Sequence, residues 1–86
     1  MVTSRGFLLF RRVMSAIQPH RRLVGETIRN FRKAAGYSQE KLAERASLSA
    51  IFISRVERGI ESPSLDSLVK IAKALEVKLR DLVANV

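Results

Sequence analysis

The sequence predicts an all-α fold, and three observations carry that expectation. Apolar residues recur at helical spacing, with Val24, Ile28, Phe31 and Ala35 at i, i+4, i+7 and i+11. The periodic stretches are bracketed by residues that start and stop helices: Ser38, Ser49 and a serine beside Pro63 at the beginnings, Gly36 and Gly59 at the ends. No run alternates apolar and polar residues as a half-buried strand would, and no segment repeats.

The first 21 residues, "MVTSRGFLLFRRVMSAIQPHR", differ from the remainder. They contain no acid, and Phe7, Phe10, Met14 and Ile17 are spaced for one helical face that Pro19 would close. Three readings stand open for this stretch. It is an ordered helix packed on the domain or across a dimer; a targeting peptide, although its "FLLF" core is shorter than a secretory apolar region; or the product of an upstream start, with Met14 the more natural first residue. The expected division is a basic, apolar, helical extension over 1–21 and a domain over 22–86.

Within that domain the first helix runs from Arg22 towards Gly36. A second, capped by Ser38, turns Leu42, Ala43 and Ala46 inward, and a third, capped by Ser49, does the same with Ile53 and Val56. A fourth begins in "ESPSLDSL", with Pro63 in its first turn, either Ser62 or Ser64 as cap, and Leu65, Leu68, Ile71, Ala72 and Leu75 as its buried stripe. A short fifth carries Leu79, Leu82 and Val83.

Composition removes several classes of function. At 86 residues there is room for one core. The absence of cysteine excludes disulfides and thiolate sites. No apolar run approaches the ~18 residues of a membrane span. The only histidine, His20, lies in a basic run, and no nucleophile–base spacing, metal-ligand cluster or phosphate loop is present. No enzyme activity, cofactor or metal is therefore expected. Charge is uneven: residues 1–35 hold eight bases against one acid, Glu26, and so carry +7 of the net +8, whereas residues 61–86 are neutral. A basic end on a neutral domain suits a polyanion such as nucleic acid or, less well, an anionic membrane surface. Solubility alone is the bland alternative.

The third helix, "SLSAIFISRVERG", concentrates the question of function. With Ile53 and Val56 pointing to the core, a turn of ~100° per residue puts Phe52, Ala50 and Glu57 on the flanks, about 70–90° away. The same turn puts Ile51 and Arg58 nearly opposite the core, and Ser54 and Arg55 about 130° from it. Two arginines, a hydroxyl and an exposed β-branched side chain form a surface able to read bases. Arginine donates two bonds to guanine, and an apolar group touches the thymine methyl.

The stretch "IRNFRKAAGYSQEKLAERASLSAIFISRVERGIESPSLDSLVKIAKALEV" resembles the Cro and phage-repressor type (Xre-like) helix-turn-helix family. Arg32, Gly36, Ser38-Gln39-Glu40, Leu42-Ala43, Ile53-Ser54, Glu57-Arg58-Gly59, Pro63-Ser64-Leu65 and Ile71-Ala72-Lys73-Ala74-Leu75 carry the match. The resemblance implies a five-helix lambda-repressor-like DNA-binding domain in which residues 39–46 and 50–58 form the helix-turn-helix. It implies base contacts from Ser49, Ala50, Ile51 and Arg55, and phosphate contacts from Gln39, its neighbour Ser38, and Arg58. It also implies a partly buried ion pair of Arg32 with Glu57, and a dimer interface at the C-terminal end, where Val77, Leu79, Val83 and Val86 are the candidates. The expected protein is a cytoplasmic, sequence-specific transcriptional regulator, a repressor by type. It would act as a homodimer on a palindromic site in double-stranded DNA, governed by its own concentration. An antitoxin-like module whose main partner is a second protein is the alternative, and the modest charge of the N-terminal helix argues against a membrane role.

Three positions depart from the family pattern. Ser47 stands where glycine is preferred, at roughly 1 kcal/mol for a left-handed serine. Ala50 and Ile51 replace side chains that are commonly polar, which shifts weight to Arg55, Ser49 and DNA shape. Lys78 replaces the usual cap of the fifth helix, so a ragged start is expected there.

Overall fold

The computed structural model describes residues 19–86. The extension helix expected over 7–17 lies outside the described residues. Five helices follow one another: α1 (Pro19–Ala34), α2 (Gln39–Ala46), α3 (Ala50–Glu57), α4 (Leu65–Leu75) and α5 (Leu79–Leu82), with no strand among the described residues. Pro19 opens α1, a position that suits its fixed φ and missing N–H. The helix runs unbroken past Arg22, so a boundary between residues 21 and 22 falls inside it.

One core joins all five. Ile28, Leu42, Ile53, Val56, Ile71 and Leu82 are its fully buried members, and Val24, Ala43, Ala46, Ala72, Ala74 and Leu75 complete it. α3 packs on α1 and α2, α2 also packs on α4, and α4 leads into α5. Two residues expected in the core are not there. Ala35 follows the last residue of α1, where helical periodicity no longer applies, and is exposed. Leu65, the first residue of α4, lies beyond the elements that cover the rest of its stripe and is 65% exposed.

Close approach of α1 and α3 depends on Gly25. A Cβ there would come within 2.3 Å of the Val56 carbonyl oxygen and 2.8 Å of that of Glu57. Both are backbone atoms, so neither can rotate away. Any side chain at this position would push the third helix off the first.

The helix starts are held by side chains. Ser38, Ser49 and Ser64 accept bonds from the backbone N–H of Lys41, Phe52 and Ser67 at 3.0, 3.0 and 3.1 Å. Ser64 is thus the cap of α4, and Pro63 precedes the helix instead of lying in its first turn. α5 does not start raggedly. Lys78 has no acceptor to offer, but the Asp81 carboxylate reaches back to its N–H at 2.9 Å, which is half of a capping box.

The ends of α1 to α4 share one design. At each, the N–H two residues past the cap returns to a carbonyl five positions earlier: Tyr37 to Arg32, Leu48 to Ala43, Ile60 to Arg55 and Val77 to Ala72, at 2.9–3.1 Å. This is the Schellman turn, and it needs a left-handed residue. Gly36 and Gly59 supply it at φ 76°, but Ser47 and Glu76 adopt φ 56° and 59° with a Cβ in place. Relieving that strain predicts that Ser47→Gly and Glu76→Gly each stabilise the domain by about 0.5–1 kcal/mol. Urea denaturation of the two variants measures it, and a loss of stability in both would contradict the argument.

Candidate nucleic-acid interface

The outer face of α3 is backed by a buried ion pair. Arg32 on α1 donates from Nε to Glu57 Oε2 at 2.7 Å and from Nη2 to Glu57 Oε1 at 3.0 Å, a bidentate geometry. Its Nη1 donates to the Tyr37 carbonyl at 2.8 Å. Glu57, the last residue of α3, also accepts from Gln39 Nε2 at 3.1 Å. Arg32 and Glu57 are 8% and 7% exposed, so these bonds replace the water both have lost. The hydrogen bond from Glu57 raises the Arg32 pKa above its ordinary value, against the opposing effect of desolvation. The guanidinium therefore stays charged.

The pair connects α1, the turn after it, the start of α2 and the end of α3. Gln39 consequently has its amide held at the N-terminus of α2 instead of swinging free. The free N–H groups of that first turn lie beside it, where a helix end favours an anion. Ser38 is exposed at the same end, with its oxygen engaged by the Lys41 N–H.

α3 is held from behind, and its outer face is open. Ile51 is 72% exposed, the highest value among the exposed large apolar residues described. Arg55 and Arg58 are exposed, Ser54 and Ala50 half-buried, and Phe52 packs against the core on the flank. Ser49 is exposed at the helix start; its oxygen accepts the Phe52 N–H, which leaves its hydroxyl hydrogen free to donate outward. Arg58 donates from Nε to the Ser54 carbonyl at 3.3 Å.

Two features of this surface are absent from the sequence reading. Arg55 Nε lies 3.3 Å from Glu61 Oε1, a half-exposed pair that leaves the two Nη groups of Arg55 free. The pair crosses the end of a helix, so no helical spacing announces it. Gly25 was the second omission, although an interior helical glycine, about 1 kcal/mol worse than alanine, was a readable signal of close packing. Of the residues placed at the C-terminal end, Val77 packs against the core and Leu79 is half-buried, whereas Val83 and Val86 are exposed. The last two border an apolar hollow of about 180 Å³ together with Val24, Pro63 and Leu68. Among the described residues there is no cluster of potential metal ligands, and no helix is long and apolar enough to cross a membrane.

The helix-turn-helix family model HTH_3 matches residues 28–82, which include Arg32, Gln39, Glu57 and the whole of α2 and α3. The chain belongs to that family. It is 44% identical over 64 residues to the control protein C.BamHI of Bacillus amyloliquefaciens, a match covering 73% of this chain and 79% of that one. It is 49% identical over 53 residues to Rv0474, an uncharacterized HTH-type transcriptional regulator of Mycobacterium tuberculosis, covering 62% of this chain but 38% of that one. The chain thus spans about two fifths of the length of that curated relative. Among solved structures, the restriction-modification controller protein C.AhdI from Aeromonas hydrophila superposes with a TM-score of 0.71 at 37% identity, over 72% of this chain and 94% of that one.

Because Glu57 carries three of the bonds that fix α3, Glu57→Ala should destabilise the fold by ~3–5 kcal/mol by stranding the Arg32 charge. Chemical denaturation reads this directly. A loss below ~1 kcal/mol would show that the pair behaves as a surface ion pair.

Proposed function

We propose that this chain is a sequence-specific, DNA-binding transcriptional regulator that acts as a homodimer on a palindromic site. The observation that carries the reading is the pairing of a rigid back with an open front on α3. Its inner residues and Glu57 are locked into the domain, and what remains outside is Ile51, Arg55 and Arg58. In this reading α3 enters the major groove. Arg55 donates to a guanine edge, Ile51 packs on a thymine methyl, and Ser49 with the backbone at Ala50 closes on the bases at the helix start. Gln39, Ser38 and Arg58 hold phosphates on either side. Similarity to a control protein and a controller protein supports a regulatory role, and the exposed Val83 and Val86 supply an apolar surface for a two-fold mate. Occupancy would then follow the chain's own concentration, because dimerisation and DNA binding are linked by mass action.

Selection of duplexes from a random pool by the full chain tests the reading. The enriched sequence should hold two inverted half-sites about 10 bp apart, centre to centre. Against that duplex, Arg55→Ala should lose ~1–3 kcal/mol of affinity while binding to a scrambled duplex hardly changes. Equal losses on both would assign Arg55 to phosphate alone, and failure to enrich any sequence would overturn the reading.

Ile51 gives an independent check. Its side chain is not needed for folding, so Ile51→Ser should change stability by less than ~0.5 kcal/mol. Replacing the contacted thymine by uracil deletes only a methyl group. Wild type should bind the uracil duplex more weakly, whereas Ile51→Ser should bind both duplexes alike, and that non-additivity marks direct contact. If no thymine in the site shows the coupling, Ile51 does not read a methyl.

A further inference from the structure

We propose that Glu61 is a positioning residue for sequence reading: by pairing with Arg55 it withholds that arginine from phosphates and presents its guanidinium fork end-on to a base. The proposal deepens the reading of α3 as the DNA-facing helix and rests on it. The outer face of α3 carries Ser49, Ile51, Ser54, Arg55 and Arg58, all neutral or basic. Glu61 brings a carboxylate to the edge of that face. Its Oε1 lies 3.3 Å from Arg55 Nε, and the side chains of Arg55 and Glu61 are 50% and 37% exposed. A pair so open to water adds little to stability. A negative charge there also opposes the approach of a polyanion. The fold gains little from this acid, and general DNA affinity loses by it.

The backbone delivers Glu61 to its partner. The turn after α3 closes on Arg55 itself, because the Ile60 N–H returns to the Arg55 carbonyl at 3.1 Å. Gly59 makes the reversal at φ 76°, and a Cβ on it would meet Arg22 Cα at 3.1 Å, so the path of the turn is constrained by α1. The residue that follows Ile60 is thereby brought beside the side chain whose carbonyl holds the turn. Arg55 is clasped twice, through its carbonyl and through its guanidinium. Arg58, three residues on, sends its Nε to a neutral carbonyl, that of Ser54, at 3.3 Å. The two arginines of one face are therefore held by groups of different charge.

Two consequences follow for Arg55. A guanidinium can make a bidentate contact through Nη1 with Nη2, or through Nε with Nη2. Arg32 uses the second edge on Glu57. At Arg55 an acceptor approaching Nε would meet the Glu61 oxygens, and acceptors repel one another. The edge formed by Nη1 and Nη2 remains, with its direction limited by the tether. The second consequence is electrostatic. Phosphate attraction follows net charge, which Glu61 offsets, whereas a guanine edge is read by the placement of donors, which Glu61 leaves in place. The pair thus moves Arg55 from general affinity towards discrimination, which is a difference between two affinities.

The test is a double-mutant cycle. Wild type, Glu61→Ala, Arg55→Ala and the double variant are each titrated with the duplex enriched by selection and with a scrambled duplex of equal length, between about 50 and 200 mM salt. Glu61→Ala should bind the scrambled duplex more tightly, with a log K against log salt slope steeper by up to about 0.9 per bound chain, as Arg55 is released to a phosphate. Its preference for the enriched duplex should fall about fivefold or more, the low end of what one bidentate base contact supplies. With Arg55→Ala already present, removing Glu61 should change both affinities by the same factor and leave the preference unmoved. Glu61→Gln, which keeps the side-chain length and removes the charge, should move both readouts in the same direction as Glu61→Ala. Thermal unfolding checks that these variants fold, and damage to the fold would weaken both duplexes together. An unchanged preference in Glu61→Ala and Glu61→Gln, or an equal fall when Arg55 is absent, overturns the role of Glu61 and leaves the DNA reading standing. A wild type that prefers no duplex removes both.

Discussion

Everything on the outer face of this domain depends on the contact between Arg32 and Glu57. Burying two charges carries a desolvation penalty of several kcal/mol per ion, so such a pair survives only where its geometry is good and its remaining donors and acceptors are used. Here they are used. Two bonds run between the partners, a third leaves Arg32 for the Tyr37 carbonyl, and a fourth arrives at Glu57 from Gln39. The consequence is positional more than energetic, since an apolar pair of equal volume can stabilise a fold as well. Only a directional contact ties the end of α3, the turn after α1 and the first residue of α2 into one arrangement. Gly25 works to the same end from the other side, because its missing Cβ lets α1 come against the carbonyls of Val56 and Glu57. The third helix is held at one end by charge and along its back by contact.

Much of this was legible in the sequence because it depends on local rules. The burial of Ile53 and Val56 and the exposure of Ile51 follow from the turn of a helix, which any eight residues obey. The caps at Ser38 and Ser49 follow from the competition of a short hydroxyl for the first free N–H groups, whereas for α4 the same rule left Ser62 and Ser64 both open. Ala35 and Leu65 were misplaced for the complementary reason. Periodicity assigns a face but not the extent of the neighbours that cover it, and both residues lie at helix ends. Lys78 has no capping side chain of its own, so the start of α5 looks ragged residue by residue, but the bond comes from Asp81 three positions on. The Arg55–Glu61 contact joins residues across a helix end, so only the assembled chain places them together.

The four Schellman turns show how a small helical domain steers its chain. Each reverses direction with two backbone bonds and then offers one side chain to the core, which is why a tyrosine, a leucine and a valine follow three of them. Glycine removes the strain of the reversal, but Ser47 and Glu76 retain it, so local conformation gives way where tertiary packing decides the direction. Ser47 lies in the turn between α2 and α3, and the strain it bears is part of holding those two helices at their angle.

The arginines of the described residues divide by what surrounds them, and that division assigns their work. Arg32 is enclosed, with each of its three nitrogens bonded inside the domain, so its work is to shape the fold. Arg55 is tethered at Nε by Glu61 and open at its fork, an arrangement that limits where the fork can point without covering it. A half-exposed pair of this kind contributes little to stability, but it narrows the orientations from which a bidentate contact must be chosen. In the proposed complex, affinity and specificity therefore come from different side chains. Gln39 and Arg58 would position any duplex, with the salt dependence of counterion release. The choice among sequences would fall to Arg55 and Ile51, whose contacts with base edges depend on geometry more than on charge.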